Sequence, residues 1–201
     1  MSKKPSTLVN MLLALAVIAV VAAGALAGVY VLTKDAIDKE QQKKSQTAME
    51  QVLPKFQGTT EAVSVQARQG DKNDVTVNLA YNNDGSLFGA AVETYTDKAF
   101  GGSFTIMVGF DAEGTIIGTA VVKAAETPGL GDKIKTEKFN GQFAKKQLRP
   151  WDVEGGLSVT KDGGQVDAIT AATISSRAFC DAVNRAAEAY QKVLNQKGVA
   201  Q

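Results

Sequence analysis

The sequence contains no histidine and a single cysteine, Cys180. These absences exclude a His- or Cys-based metal site, a Cys-His nucleophile pair and a Ser-His-Asp triad within the 201 residues. One cysteine cannot form an intrachain disulfide. Only 4 prolines accompany 19 glycines, which favours a turn-rich globular body over a disordered tail. Demanding chemistry must therefore come from carboxylates, hydroxyls, backbone groups or a bound cofactor.

The sequence also lacks an excess of either charge, because 22 Lys and Arg residues balance 21 Asp and Glu residues. Binding to a phosphate backbone requires a basic surface, so this balance argues against nucleic acid as a partner. The length of 201 residues suits one ordinary domain with an accessory segment.

Residues 8–33 contain no charged side chain, and Asn10 and Thr33 are the strongly polar ones among them. A helix of this length extends about 39 Å at about 1.5 Å per residue, enough to cross a hydrocarbon core of about 30 Å. The segment predicts a transmembrane helix. A cleaved signal peptide is the alternative, since residues 25–27 resemble a cleavage site, but its apolar region would be shorter.

Lysines flank this helix on both sides, so the positive-inside rule does not orient it clearly. We expect residues 1–7, with Lys3 and Lys4, to form a short cytoplasmic tail, which places the rest of the chain outside the cytoplasm. Gly24 and Gly28 either admit a close neighbouring helix or are simply small residues in a membrane segment. The lysines that follow the helix are Lys34, Lys39, Lys43 and Lys44.

The remainder predicts a stalk helix over residues 34–54, ended by Pro54, and an α+β domain over residues 55–201. Alternating apolar residues and turn signals indicate a twisted, mostly antiparallel sheet with helices packed on it. Strands are expected at 63–65, 74–79, 87–95, 104–110, 115–122 and 157–161. The last helix is expected over residues 176–195, with one apolar face formed by Phe179, Val183, Ala186, Tyr190 and Val193.

A loop with the sequence Glu-Thr-Pro-Gly-Leu-Gly follows the fifth of these strands. Its Pro-Gly pair predicts a tight turn, and its last glycine would let the backbone approach a flat ligand closely. A simple turn between a strand and a helix explains the same residues. They are Glu126, Thr127, Pro128, Gly129, Leu130 and Gly131.

A second segment places four hydroxyl groups within seven residues where the last helix is expected to begin. Unpaired amides and the positive dipole end of a helix favour a phosphate there. Capping of the helix by one of the hydroxyls is the simpler explanation, but it accounts for one hydroxyl and not for four. The hydroxyl residues are Thr170, Thr173, Ser175 and Ser176.

The run Asp167–Thr173 resembles the flavinylation motif D-x-x-[ST]-[GA]-A-T, with Ala171 where many relatives have glycine. The Glu126–Gly131 loop resembles the ETPGLG signature of the same flavin-binding domain, and Gly163 and Gly164 precede the motif as in that family. With the membrane segment, these features resemble the G subunits of Rnf complexes, the ion-translocating ferredoxin:NAD oxidoreductases of bacteria and archaea. The resemblance covers nearly the whole chain.

This resemblance implies flavin mononucleotide (FMN) joined to Thr173 by a phosphodiester, in a redox protein that carries electrons and is not catalytic alone. Asp167 would be recognised by a magnesium-dependent flavin transferase. The implied partners are the other subunits of a membrane redox complex, with one pass through the inner (cytoplasmic) membrane and the domain on the periplasmic side. The other implied FMN-binding residues are Thr170, Ala171, Ala172, Ile174, Ser175, Glu126, Thr127, Pro128, Gly129, Leu130, Gly131 and Lys133.

Three alternatives stay open at this stage. The C subunit of the sodium-translocating NADH:quinone reductase shares the flavin domain but is usually longer. A membrane-anchored binding protein with a degenerate flavin domain would have no redox role. A hydrolase would need a second carboxylate beside Glu126, and the sequence places none next to it.

Overall fold

A computed structural model describes residues 7–53 and 56–198 of the chain. Pro54, Lys3, Lys4 and nearly all of the predicted tail lie outside the described residues. The chain divides into two compact units, Met1–Lys43 and Lys44–Gln201.

The first long element is helix α1, Leu8–Val52, which runs without interruption through the segments predicted as membrane helix and stalk. Among the described residues, α1 has the length and composition to cross a membrane; its 18-residue apolar stretch has a mean hydropathy of 2.7 and is unburied. The helix does not break near residue 33, so the predicted boundary there stays a prediction.

A five-stranded antiparallel sheet follows in the second unit, with its strands in chain order. The antiparallel sheet with packed helices confirms the expected α+β fold. Two of its connections are the predicted glycine turns, where the Gly85 and Gly114 amides donate to the Asn82 and Asp111 carbonyls. The strands are β1 Gly58–Val65, β2 Val75–Asn82, β3 Leu87–Thr96, β4 Phe104–Asp111 and β5 Ile116–Lys123.

Short helical segments lead from the sheet to a long final helix, and that helix covers one face of the sheet. The predicted apolar face of this helix is buried throughout, and Tyr190 stacks on Phe110 of β4 with ring centroids 5.5 Å apart. The helices are α2 Glu137–Asn140, α3 Gln142–Lys145 and α4 Thr173–Lys197, with 3₁₀ helices at Gly131–Lys135, Pro150–Asp152 and Thr160–Asp162.

The other face of the sheet packs against the last residues of α1, which belong to the same unit. Val52 is fully buried there, over the registered pair Gly109 and Gly118 of β4 and β5. A Cβ atom at Gly118 would lie 2.9 Å from the Val52 Cα atom, so glycine is needed for this contact. Together, α4 and the end of α1 make the sheet the middle layer of this unit.

The strand predicted at residues 157–161 is wrong. This stretch forms one isolated bridge, between Val159 and Val166, and then enters the Thr160–Asp162 3₁₀ helix. Gly163, with a φ of 83°, reverses the chain directly after this 3₁₀ helix, so pairing with the returning chain is limited to the bridge at Val166. Helix α4 also begins three residues before its predicted start at Ser176.

Candidate functional site

The two segments singled out in the sequence meet through a buried carboxylate. The Ser175 hydroxyl donates a hydrogen bond of 2.6 Å to Glu126 Oε2, and the Gly101 amide donates one of 3.0 Å to Glu126 Oε1. Glu126 is 8% exposed and Ser175 is 2% exposed. Glu126 therefore joins the loop after β5, the start of α4 and the connection between β3 and β4.

The loop has the tight turn expected from its sequence. The Leu130 amide donates to the Thr127 carbonyl at 3.1 Å, and Gly129 takes a φ of 77°, a value that glycine adopts without strain. Gly131 has a role that the sequence did not suggest. A Cβ atom there would overlap Glu126 Oε2 and lie 2.7 Å from Ser175 Oγ, so Gly131 makes room for this hydrogen bond.

The start of α4 has no side-chain cap at the residue before it, Ala172. Ser175 binds Glu126 instead, while Ser176 Oγ accepts from the Ile169 amide and donates to the Ala172 carbonyl. The simple capping explanation of these hydroxyls is therefore wrong. An uncapped helix start leaves backbone amide donors that can bind an anion, and the phosphate site expected there stays a prediction. Ala171 has a φ of 62°, a left-handed conformation that glycine adopts more readily and that explains the glycine of the motif.

A cavity of about 350 Å³ opens between this helix start and the loop. Three large apolar side chains at the cavity are exposed to solvent: Phe100 by 70%, Ile174 by 50% and Leu130 by 41%. In the described part of the unit Lys44–Gln201, these three are the exposed large hydrophobic residues. The cavity is lined by Phe100, Glu126, Thr127, Leu130, Gly131, Ala171, Ala172, Thr173, Ile174 and Ser175.

Sequence reasoning missed Phe100, Gly101 and Lys161. Lys161 Nζ donates a hydrogen bond of 3.2 Å to Thr173 Oγ1. Neither motif contains these three residues, and they reach the site only because the chain folds back from distant positions. The sequence signal that could have pointed to Lys161 is the pair Gly163 and Gly164, which follows it closely and precedes the motif as in the flavin-binding family.

Three of the predicted site residues, Asp167, Thr170 and Lys133, line a different cavity of about 200 Å³. There Lys146 Nζ lies 2.7 Å from Asp167 Oδ2, and the Asp167 side chain is 71% exposed. Of the polar residues of the motif, Thr173 lines the cavity at the start of α4, whereas Asp167 and Thr170 line this second cavity. The contacts predicted for Thr170 and Lys133 with the cofactor stay predictions.

The cysteine is not a reactive group of this site. Cys180 lies in α4, and burial raises the pKa of its thiol to about 12. A protonated, buried thiol is a poor nucleophile. The groups that can act at the cavity are therefore hydroxyls, backbone amides, Glu126 and Lys161.

Comparison with known proteins decides the family. Residues 100–188 match the FMN-binding domain family and residues 12–52 match the RnfG N-terminal region. The G subunit of the ion-translocating oxidoreductase complex of Aliivibrio fischeri (strain MJ11) is 35% identical over 89% of this chain and 88% of that protein. Its counterpart from Vibrio vulnificus (strain YJ016) is 34% identical over 92% of both chains. The chain belongs to this family of G subunits.

A solved structure supports the fold of this G-family chain. The C subunit of the Na⁺-translocating NADH-quinone reductase from Parabacteroides distasonis has a TM-score of 0.56 and is 21% identical, covering 78% of this chain and 94% of that one. At this identity the similarity shows the shared fold alone. The expected resemblance to the Rnf G subunits is confirmed, and the alternative of a reductase C subunit has the weaker support.

The residues of the G-family chain fit FMN. The FMN-binding match begins at Phe100 and includes the loop and the start of α4, so it covers the whole lining of the cavity. A cavity with exposed apolar side chains suits the flat flavin ring, and the uncapped helix start suits its phosphate. FMN is therefore the cofactor of this domain.

Proposed function

We propose that this chain is the electron-transfer G subunit of an Rnf-type ion-translocating oxidoreductase complex, with FMN attached through a phosphodiester to Thr173. One observation carries the proposal: Thr173 lies at the uncapped start of α4 and lines the apolar cavity that the Glu126–Gly131 loop borders. The hydroxyl is thus placed where a phosphate is favoured, beside space suited to the ring.

The residues of the chain position and shield FMN, since FMN supplies the electron-transfer chemistry. Glu126 and Ser175 hold the loop against α4. Phe100, Leu130 and Ile174 present exposed apolar surface at the cavity, against which the flavin ring would pack. The free amides at the start of α4 bind the phosphate.

Asp167 serves recognition by the flavin transferase in this proposal. Its side chain is 71% exposed and is held by Lys146, outside the cavity that Thr173 lines. An exposed carboxylate in this position is accessible to another protein while the flavin cavity stays separate. Asp167→Ala is expected to slow the modification of Thr173 without removing any residue that lines the flavin cavity.

Helix α1 serves as the membrane anchor, and the domain lies on the periplasmic side of the inner membrane. The unburied apolar stretch of α1 supports the anchor. A covalent bond suits that location, because a flavin that dissociated outside the cytoplasm would be lost. The other subunits of the complex are the electron donors and acceptors.

The decisive experiment is a denaturing gel of protein produced together with the transferase, viewed under ultraviolet light. The band of the wild-type chain should fluoresce, and Thr173→Ala should abolish the signal because the attachment oxygen is gone. Thr60→Ala, an exposed threonine of β1, is the matched control and should keep it. A fluorescent Thr173→Ala band would contradict the attachment site, whereas a colourless wild-type protein would favour a non-redox binding protein.

A further inference from the structure

Lys161 is a basic side chain that reaches the proposed attachment site although neither motif contains it. Its Nζ atom donates to Thr173 Oγ1 at 3.2 Å. This oxygen is the atom that would join the phosphorus of the flavin. A cation held at this distance from the bridging oxygen is within reach of the phosphate oxygens as well.

The Thr160–Asp162 3₁₀ helix, which carries Lys161, is fixed against the first two turns of α4. Asp162 accepts two hydrogen bonds from Arg177, one of 2.7 Å from Nε and one of 2.6 Å from Nη2. Arg177 follows Thr173 by four residues, which is about one helical turn. Lys161 contacts Thr173, and the next residue, Asp162, contacts Arg177 one helical turn further along α4. The Asp162–Arg177 ion pair therefore holds Lys161 beside Thr173.

The Asp162 carboxylate is paired with Arg177, so the positive charge of Lys161 is also available to an anion. Hydrogen bonding to Arg177 lowers the pKa of Asp162, so this carboxylate stays ionised and paired. The bidentate pair of Asp162 and Arg177 has no net charge. The ammonium group of Lys161 and the positive end of α4 then face the position of a phosphate on Thr173, which carries one negative charge.

We propose that Lys161 is a positioning residue for the FMN phosphodiester: its ammonium group pairs with the phosphate on Thr173 and fixes where the tethered flavin lies. This inference rests on the proposed attachment of FMN to Thr173. An exposed ion pair contributes little to stability, so the role of Lys161 is to restrict the tether and not to hold the fold.

The test uses the full-length flavinylated protein in mild detergent, with Lys161→Gln, Lys161→Arg and the control Lys72→Gln. Lys72 is an exposed lysine in the connection between β1 and β2. Time-resolved fluorescence anisotropy measures the mobility of the tethered flavin, and ³¹P NMR measures the surroundings of its phosphate. In Lys161→Gln we expect at least a twofold larger fast component of the anisotropy decay and a displaced ³¹P resonance. Lys161→Arg should restore both values, and Lys72→Gln should leave both unchanged.

The outcomes separate this inference from the proposed function. Wild-type anisotropy and ³¹P values in a fluorescent Lys161→Gln protein would overturn the role of Lys161 and leave the attachment intact. A folded Lys161→Gln protein without flavin would support the role if Lys161→Arg regains the flavin, and would overturn it if Lys161→Arg stays colourless. A wild-type chain without covalent flavin would overturn the proposed function itself.

Discussion

Removal of the Ser175 hydroxyl tests the structural centre of the site. Ser175→Ala deletes the 2.6 Å hydrogen bond to Glu126 Oε2, in a place where both residues are buried, and leaves Glu126 Oε1 with its bond from Gly101. Loss of a hydrogen bond to a buried charged group costs about 1.5–3 kcal/mol. We expect the free energy of unfolding to fall by about 2 kcal/mol.

The assay is urea unfolding of the full chain in mild detergent, followed by tryptophan fluorescence. Trp151 is the single tryptophan, and it reports on the domain because its indole N–H donates to the Ala187 carbonyl of α4 at 3.2 Å. Ser64→Ala is the control, since this exposed hydroxyl of β1 makes only a long bond of 3.4 Å to Asp74. The control should change stability by less than about 0.5 kcal/mol.

A double-mutant cycle with Glu126→Ala, which removes both acceptor oxygens, makes this prediction refutable. If the two side chains interact as described, their coupling energy should be about 1 kcal/mol or more. A loss in Ser175→Ala no larger than in Ser64→Ala, or additive effects of the two variants, would show that Glu126 does not join the loop to α4.

Three further predictions concern the rest of the domain. Burial disfavours ionisation of Asp181, but hydrogen bonds from Lys98, Arg68 and Thr96 outweigh it and lower its pKa to about 2. The pKa in the unfolded chain is higher, about 3.9. The stability that Asp181 contributes is therefore complete above about pH 4 and is lost between about pH 4 and 2. In Asp181→Asn, the free energy of unfolding should fall less between about pH 4 and 2 than it does in the wild type. A fall as large as that of the wild type would contradict this. Gly118→Ala should destabilise the domain by about 1–3 kcal/mol, because the new methyl group would press on Val52; unfolding that matches the wild type would refute the packing. Ala171→Val should destabilise the domain by more than about 1 kcal/mol in the same assay, because a β-branched residue tolerates a positive φ poorly. Ala171→Gly should not destabilise it. Equal stability of the two variants would count against the left-handed conformation of residue 171.

The sequence alone determined the features that depend on local periodicity. The apolar run of α1, the alternation at residues 63–65 and 74–79 and the apolar face of α4 each follow from side chains that repeat with the period of their own element. The glycine turns after Asn82 and Asp111 and the tight turn at Gly129 were equally predictable, because positive φ values select glycine locally. The resemblance to a flavin-binding family added the cofactor, which periodicity could not.

Only the tertiary structure decided which groups surround Thr173. The bond between Glu126 and Ser175 joins residues 49 positions apart, and the contact of Lys161 with Thr173 depends on the Thr160–Asp162 3₁₀ helix, whose first two residues sequence patterns had assigned to a strand. Packing of α4 on the sheet sets these distances, and no local pattern encodes them. The same packing directs Thr170 and Thr173, three residues apart in one motif, toward two different cavities. The sequence could therefore name the motif, while the fold determined which of its residues share a cavity.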